Sequence, residues 1–330
     1  MSAHTSADQV LALCGGIGGA KLALGLYRVL GPGRMTVVVN TGDDFEHLGL
    51  AVSPDLDTVL YTLGGLADPE RGWGRAQETW QCMEALRQLG GETWFQLGDR
   101  DLAMHVERSG WLRRGQTLSA FAARAARQFG IDAHILPMTD APVRTIVETD
   151  EGALPFQHYF VRRRCEPVVR AIRFARAAEA AAPQSFIDLV AGDSLRAIVI
   201  CPSNPYLSVD PILAVPGIAA ALATARAPVV AVSPIIGGQA VKGPTAKIMV
   251  ELGLAVTNES IAGHYRSLID GLVVDEADGA DAARLDVPTL AVPTLMRDLA
   301  DRERLAGDIL AFAATLVQSS APMRAGGRRR

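Results

Sequence analysis

The sequence predicts an α/β fold: an open, doubly wound, mostly parallel Rossmann-like sheet with an inserted hairpin and helical subdomain. Three observations predict it. Short continuous apolar runs, VLAL at 10–13, IVIC at 198–201 and VVAV at 229–232, read as strands buried on both faces. Helical stretches alternate with these runs. The first run leads straight into a glycine-rich turn, CGGIGGAK at 14–21, where backbone N–H groups and a helix start can face an anion.

The elements follow in order. After the strand at 10–13, residues 21–30 form a helix and MTVVVN at 35–40 a second buried strand. Ser53-Pro54 opens the next helix, serine as N-cap and proline in the first turn, running through 57–63. A helix over 76–89, a short strand over 93–97, an Ala/Arg-rich helix over 118–129 and a strand over 134–137 come next. Residues 143–148 and 156–162 alternate about the turn TDEGA and predict an antiparallel hairpin, which makes 141–183 the expected inserted subdomain or interface element. Helices separate and follow the strands at 198–201 and 229–232, and a last helix covers 296–317. The chain is expected to form a single domain over 1–330, with a disordered tail at 319–330.

Composition narrows the function. Of 330 residues, 49% are apolar and 21% charged, as in a globular protein, and a net charge of -4 argues against bulk nucleic-acid binding. Four scattered cysteines without a C-x-x-C pair give neither a zinc site nor a disulfide framework, so a reducing compartment is expected. The opening residues lack a signal-like pattern and no apolar run is long enough to span a membrane; a cytoplasmic protein is expected. There is no H-E-x-x-H pair and no G-x-S-x-G elbow. Of 32 basic side chains only three are lysine, Lys21, Lys242 and Lys247, and each lies beside a glycine-containing turn. A compact ammonium suits phosphate, although three residues can fall there by chance.

Ligands of an open α/β sheet bind at the carboxyl ends of its strands, and four constellations fall there. CGGIGGAK departs from G-x-G-x-x-G at Lys21 and from the P-loop at Ala20-Lys21-Leu22. Gly15, Gly16, Gly18, Gly19, Ala20 and Lys21 are nevertheless candidates for phosphate or nucleotide contact, with tight chain reversal as the alternative. Asp43 and Asp44 in NTGDD, and Asp55 and Asp57 in PDLDT, put acids in neighbouring loops and make a candidate magnesium site. Helix-dipole compensation accounts equally for Asp55 and Asp57, and an Asx turn or a ribose contact for Asp43 or Asp44. Arg100 in LGDRD is placed to hold a phosphate or a hydroxyl-bearing substrate, or simply to close a salt-bridged turn. Ser203 and Asn204 in CPSNP, and Ser233 and Gly237 in SPIIGG, offer uncharged donors and acceptors for a base or phosphate. Gly243-Pro244-Thr245, between Lys242 and Lys247, reads as a second anion-friendly helix start. Trp73, Trp80, Trp94 and Trp111 serve core packing or stack a flat ligand.

Taken in order, CGGIGGAK, VVVNTGDD, SPDLDTVLYTL, LGDRD, LPMTD, CPSNP and SPIIGG resemble the CofD family, the phospholactate transferases of deazaflavin coenzyme F-420 biosynthesis, over about residues 10–315. The resemblance implies transfer of a phospholactyl, phosphoenolpyruvyl or phosphoglyceryl-type group from a guanosine diphosphate donor to the ribityl hydroxyl of the deazaflavin Fo, with release of GMP. It implies magnesium and a homodimer. Carried onto this chain, Asp43, Asp44, Asp55 and Asp57 hold the metal, and one of them orients the attacking hydroxyl. Residues 15–20 hold the nucleotide, Ser203 and Asn204 lie near the guanosine, and Arg100 and Asp57, with Thr58 beside them, serve the deazaflavin end. A related branch with the same glycine loop and NTGDD-like acids binds nucleotide sugars or dinucleotides as a regulator, and is the alternative. Phosphoryl transfer needs positioning and charge neutralisation more than a covalent nucleophile, so the lack of a triad fits.

Overall fold

The computed structural model describes residues 8–240 and 243–320. β1 (Gln9–Cys14) leads into α1 (Gly16–Leu30), β2 (Met35–Val39), the hairpin β3 (Phe45–His47) and β4 (Leu50–Val52), and α2 (Pro54–Leu63). Next come α3 (Gln81–Gln88), α4 (Asp99–Arg113), α5 (Leu118–Gln128) and β5 (His134–Pro137). β6 (Arg144–Thr149), β7 (Gly152–Pro155) and β8 (Val169–Ala175) form a separate antiparallel sheet in the order β7-β6-β8. The second half runs α6 (Gln184–Ala191), β9 (Leu195–Ile200), α7 (Asp210–Leu213), α8 (Ile218–Thr224), β10 (Val229–Val232), then the hairpin β11 (Ile235–Ile236) and β12 (Gln239–Ala240). It ends with α9 (Thr245–Glu251), α10 (Asn258–Tyr265), β13 (Gly271–Val274), α11 (Gly279–Ala282), β14 (Thr289–Ala291) and α12 (Leu299–Ser320).

The central sheet has the order β14-β13-β10-β9-β1-β2-β5, parallel at every pairing. From β1 the chain steps outward to β2 and β5, returns to β9, and steps outward the other way. The order therefore reverses between β1 and β9, the crevice where such sheets bind ligands. Alternation along β1 divides the core. Val10, Ala12 and Cys14 join α1, α2, α5 and α12 on one face, while Leu11 and Leu13 join the β6–β8 sheet and α6 to α10 on the other. Both faces are covered, which is why the strands read as unbroken apolar runs. No single described helix is long and apolar enough to cross a membrane.

Several elements differ from the sequence expectation. Residues 93–97 are not a strand: Trp94 and Phe95 both pack on Phe45, whereas a strand sends neighbours to opposite faces. Residues 156–162 do not form the second hairpin strand, which is β7 instead. They coil, with His158–Arg162 as a π-helical turn, so that Phe156 stacks on Phe160 at 5.3 Å and Tyr159 is buried. The helix expected over 76–89 is confined to α3, and β13 and β14 extend the sheet unpredicted. Residues 319 and 320 close α12; the rest of the predicted tail, and Lys242, lie outside the described residues.

Candidate active site

The glycine turn is built into the crevice between β1 and β9. α1 starts two residues after β1, which requires φ of +62° at Gly16, a conformation glycine tolerates. Ser203, after β9, clamps the turn: its hydroxyl donates to the Gly15 carbonyl (2.7 Å) and accepts from the Gly15 N–H (3.2 Å). A Cβ at Gly18 would lie 2.6 Å from the Pro202 carbonyl oxygen, and one at Gly19 2.5 Å from Ser203 Oγ. These two glycines thus let the start of α1 dock on the loop after β9. Ala20 faces the core. Lys21 turns away, its ammonium donating to the Met296 carbonyl at 3.0 Å.

The acids gather beside this turn. Asn40, at the end of β2, donates through one amide nitrogen to Asp43 Oδ1 (3.0 Å) and Asp55 Oδ2 (2.9 Å), while its carbonyl accepts from Gly42 N–H (2.8 Å). Asp43, Asp44 and Asp55 are all buried. Burial pushes the Asp55 carboxyl up to about 6, against the pull of the Asn40 amide and the Gly16 N–H. Burial, reinforced by the charge of Asp55, raises Asp43 well above the usual carboxylate range. Burial lifts Asp44 to about 7, although Arg144, the Ser53 hydroxyl and Arg108 favour its ionised form. Ser53 donates to Asp44 Oδ2 at 2.7 Å, and the other oxygen, Oδ1, is buried without a hydrogen-bond partner. Two desolvated carboxyls on the Asn40 amide and a third, Asp44, with one oxygen unpartnered, are a donor set that fits a hard divalent cation.

Behind the acids lies a network that sequence reasoning missed. Asp57 accepts both ends of the Arg108 guanidinium, Oδ1 at 2.6 Å from Nη1 and Oδ2 at 2.8 Å from Nη2, and Arg108 is fully buried. Arg108 Nε donates to the Ala51 carbonyl at 3.0 Å, tying α4 to β4. His105 Nδ1 is 2.6 Å from Arg108 Nη2, and Tyr61 donates to Asp101 at 2.6 Å. Asp57, Asp101 and His105 offer three potential ligand atoms within 4.8 Å of one another. An ion there would share Asp57 with a buried guanidinium, so the trio fits an internal charge network better than a metal. The signal was helical spacing: residues 101, 105 and 108 share one face of α4, and 57 and 61 one face of α2.

The other predicted residues are dispersed. Thr58 Oγ1 donates to the Pro54 carbonyl. Arg100 is exposed and bonds Gln77, while Asp99 beside it accepts from the Gln81 and Cys82 N–H groups at the start of α3. Asn204 accepts from the Tyr206 and Leu207 N–H groups and donates to Thr245. Ser233 accepts from the Ile235 N–H, and the Gly237 and Gly238 N–H groups both donate to Asp278. Trp94, with His47, Phe95 and His158, forms an aromatic cluster on Phe45, the residue after Asp44.

A family profile described as "2-phospho-L-lactate transferase CofD" matches residues 10–291. A "Phosphoenolpyruvate transferase" of Kitasatospora aureofaciens is 42% identical over 315 residues, covering 92% of this chain and 98% of the relative. A "2-phospho-L-lactate transferase" of Methanosarcina mazei is 39% identical over 295 residues, covering 88% and 96%. Among solved structures, a UPF0052-family protein of Bacillus halodurans superposes with a TM-score of 0.59 at 16% identity, covering 92% of this chain and 98% of that one, a likeness of fold. With its parallel sheet, glycine turn and clustered acids, the chain belongs to the CofD family and is a transferase.

Proposed function

We propose that the protein transfers a phosphorylated three-carbon acid (2-phospholactate, phosphoenolpyruvate or 3-phosphoglycerate) from a guanosine diphosphate donor to the ribityl hydroxyl of the deazaflavin Fo, releasing GMP, in coenzyme F-420 biosynthesis. The observation that carries the reading is the meeting of the Gly15–Gly16 turn with Asp55, which the Asn40 amide joins to Asp43, beside the crevice between β1 and β9. A diphosphate brings negative charge to this crevice, and the buried acids repel it unless a cation intervenes. Magnesium held by Asp43, Asp44 and Asp55 would neutralise that charge. Asp57 contributes by fixing Arg108 under Asp44. Asp44, whose Oδ1 is buried without a hydrogen-bond partner, is suited to orient the attacking hydroxyl. Ser203 and Asn204 border the nucleotide side, and Phe45 and Trp94 offer ring faces for a flat acceptor. Arg100 and Thr58 are assigned to the acceptor end by the resemblance alone, as is the homodimer. The relatives named for lactyl and enolpyruvyl transfer are nearly equally similar, so the class of three-carbon acid is proposed rather than one member. The regulator alternative rests on the glycine turn and NTGDD-like acids that the related branch shares, and the likeness to the UPF0052 protein is one of fold alone. Mass spectrometry of the product from Fo, magnesium and each guanosine-linked donor tests the reading; no phosphodiester of Fo with any donor refutes it.

A further inference from the structure

A cleft of about 120 Å³ opens from the acid cluster toward β6. Thr41, Asp44, Phe45, Ser53, Asp140 and Arg144 line it, together with apolar side chains of α4, α5 and the loop before β6. Two of its polar atoms, Thr41 Oγ1 and Asp44 Oδ1, are buried without a hydrogen-bond partner. Asp140 is committed, accepting from the Ser119 N–H. Arg144 is not committed to an anion: among the described residues its guanidinium makes one hydrogen bond, Nη1 to the Val143 carbonyl at 2.7 Å. Its charge favours ionised Asp44, yet among the described residues no carboxylate pairs with it as Asp57 pairs with Arg108.

Arg144 is the one cationic side chain among the residues that line this cleft. Arg108 is bidentate to Asp57, Lys21 bonds the Met296 carbonyl, and Arg100 bonds Gln77. Under the reaction proposed above, on which this inference rests, every candidate transferred group carries a carboxylate within two carbons of the phosphorylated oxygen. That carboxylate comes to a site already crowded with acids and needs a planar double donor. We infer that Arg144 binds the carboxylate of the three-carbon acid, with the Thr41 hydroxyl beside it, and thereby selects donors bearing an acid over those that do not. The guanidinium sits on strand β6 of the antiparallel sheet, so the inserted subdomain supplies the acid-reading residue while the Rossmann-like sheet supplies the phosphate and metal residues.

The test uses two synthetic probes, GDP esterified on its terminal phosphate with lactate and the same ester of lactamide, titrated calorimetrically with magnesium into the full chain. The wild type is expected to prefer the acid about ten- to a hundredfold, the range for a charged hydrogen bond. In Arg144→Gln the preference should fall to within about twofold, and because Arg144 also favours ionised Asp44, affinity for the amide falls by less than affinity for the acid. Arg144→Lys should retain part of it. Retention of the full preference in Arg144→Gln overturns the inference, as does an equal loss for acid and amide, which would make Arg144 a support of the acid cluster. A wild type that binds both esters equally overturns the inference alone. A wild type that binds neither ester, nor transfers from it to Fo, refutes the proposed function and the inference with it.

Discussion

Asp57→Asn separates two roles for this carboxylate. As a metal ligand, the role the resemblance implies, its loss would abolish turnover and spare the fold. In the structure Asp57 neutralises Arg108, whose guanidinium is fully buried and receives both carboxylate oxygens, at 2.6 and 2.8 Å. Breaking one partner of a buried pair leaves an uncompensated charge and costs about 3–5 kcal/mol, a large share of the roughly 5–15 kcal/mol that holds a domain together. Removing both charges for apolar groups of similar volume is near neutral. Equilibrium urea unfolding of Asp57→Asn, Arg108→Met and Asp57→Leu/Arg108→Met forms the cycle. We expect each single variant to lose several kcal/mol and the double variant to recover most of it. Single variants that each lose less than about 1 kcal/mol would refute the buried pair. Turnover must be read per folded molecule: a double variant that is stable yet inactive assigns the pair a role beyond folding.

Three further outcomes follow from the same geometry. The raised carboxyls of Asp55, about 6, and Asp44, about 7, stabilise the fold below the usual carboxylate range and lose that contribution as pH rises through 6 to 7, so the metal-free protein should have a lower urea midpoint at pH 8 than at pH 5. Magnesium should restore the pH 8 midpoint, and a metal-free midpoint that climbs over this range would contradict the arrangement. Asn40→Ala removes the amide shared by Asp43 and Asp55; at about 1–3 kcal/mol per orphaned partner the loss should be larger at pH 8 than at pH 5, a difference again read by urea unfolding. Gly18→Ala drives a Cβ to 2.6 Å from the Pro202 carbonyl oxygen and should lower GDP affinity by calorimetry, whereas Gly25→Ala, 2.1 Å from the Arg302 carbonyl oxygen between α1 and α12, should lower the unfolding midpoint while leaving GDP affinity per folded molecule unchanged.

The fold was legible because its strands are buried on both faces and its first turn is marked by glycine. What escaped was packing across sequence distance. A buried arginine has no local signature in a chain where all but three of 32 basic residues are arginine, and Arg108 is set apart only when α2 is laid against it. The 93–97 segment looked like a strand because its aromatics favour strands, but both rings serve one cluster. β13 carries the same unbroken apolar signal as β10 and was legible in principle. Asp43, Asp44 and Asp55 could be placed by their loops, whereas the separation of Asp57 from them depends on which side of α2 faces the crevice.

Ser53 shows how the site takes precedence over local rules. The Ser-Pro pair at the start of α2 is a capping signature, and proline does occupy the first turn, yet no side-chain cap forms. The hydroxyl donates instead to Asp44, giving up a capping bond worth about 1 kcal/mol. The departures of CGGIGGAK from the two nucleotide-loop templates have the same character. A P-loop supplies its own hydroxyl to the metal, whereas here Asp55, in the first turn of α2, reaches the glycine turn, and Gly18 and Gly19 bring α1 against the loop after β9. Lys21, near the position where a P-loop carries its phosphate-binding lysine, is turned to the Met296 carbonyl here. The two departures differ in what they hold: the Ser53 bond ties the start of α2 to the acid-bearing loop after β2, and the Lys21 bond ties α1 to the segment before α12.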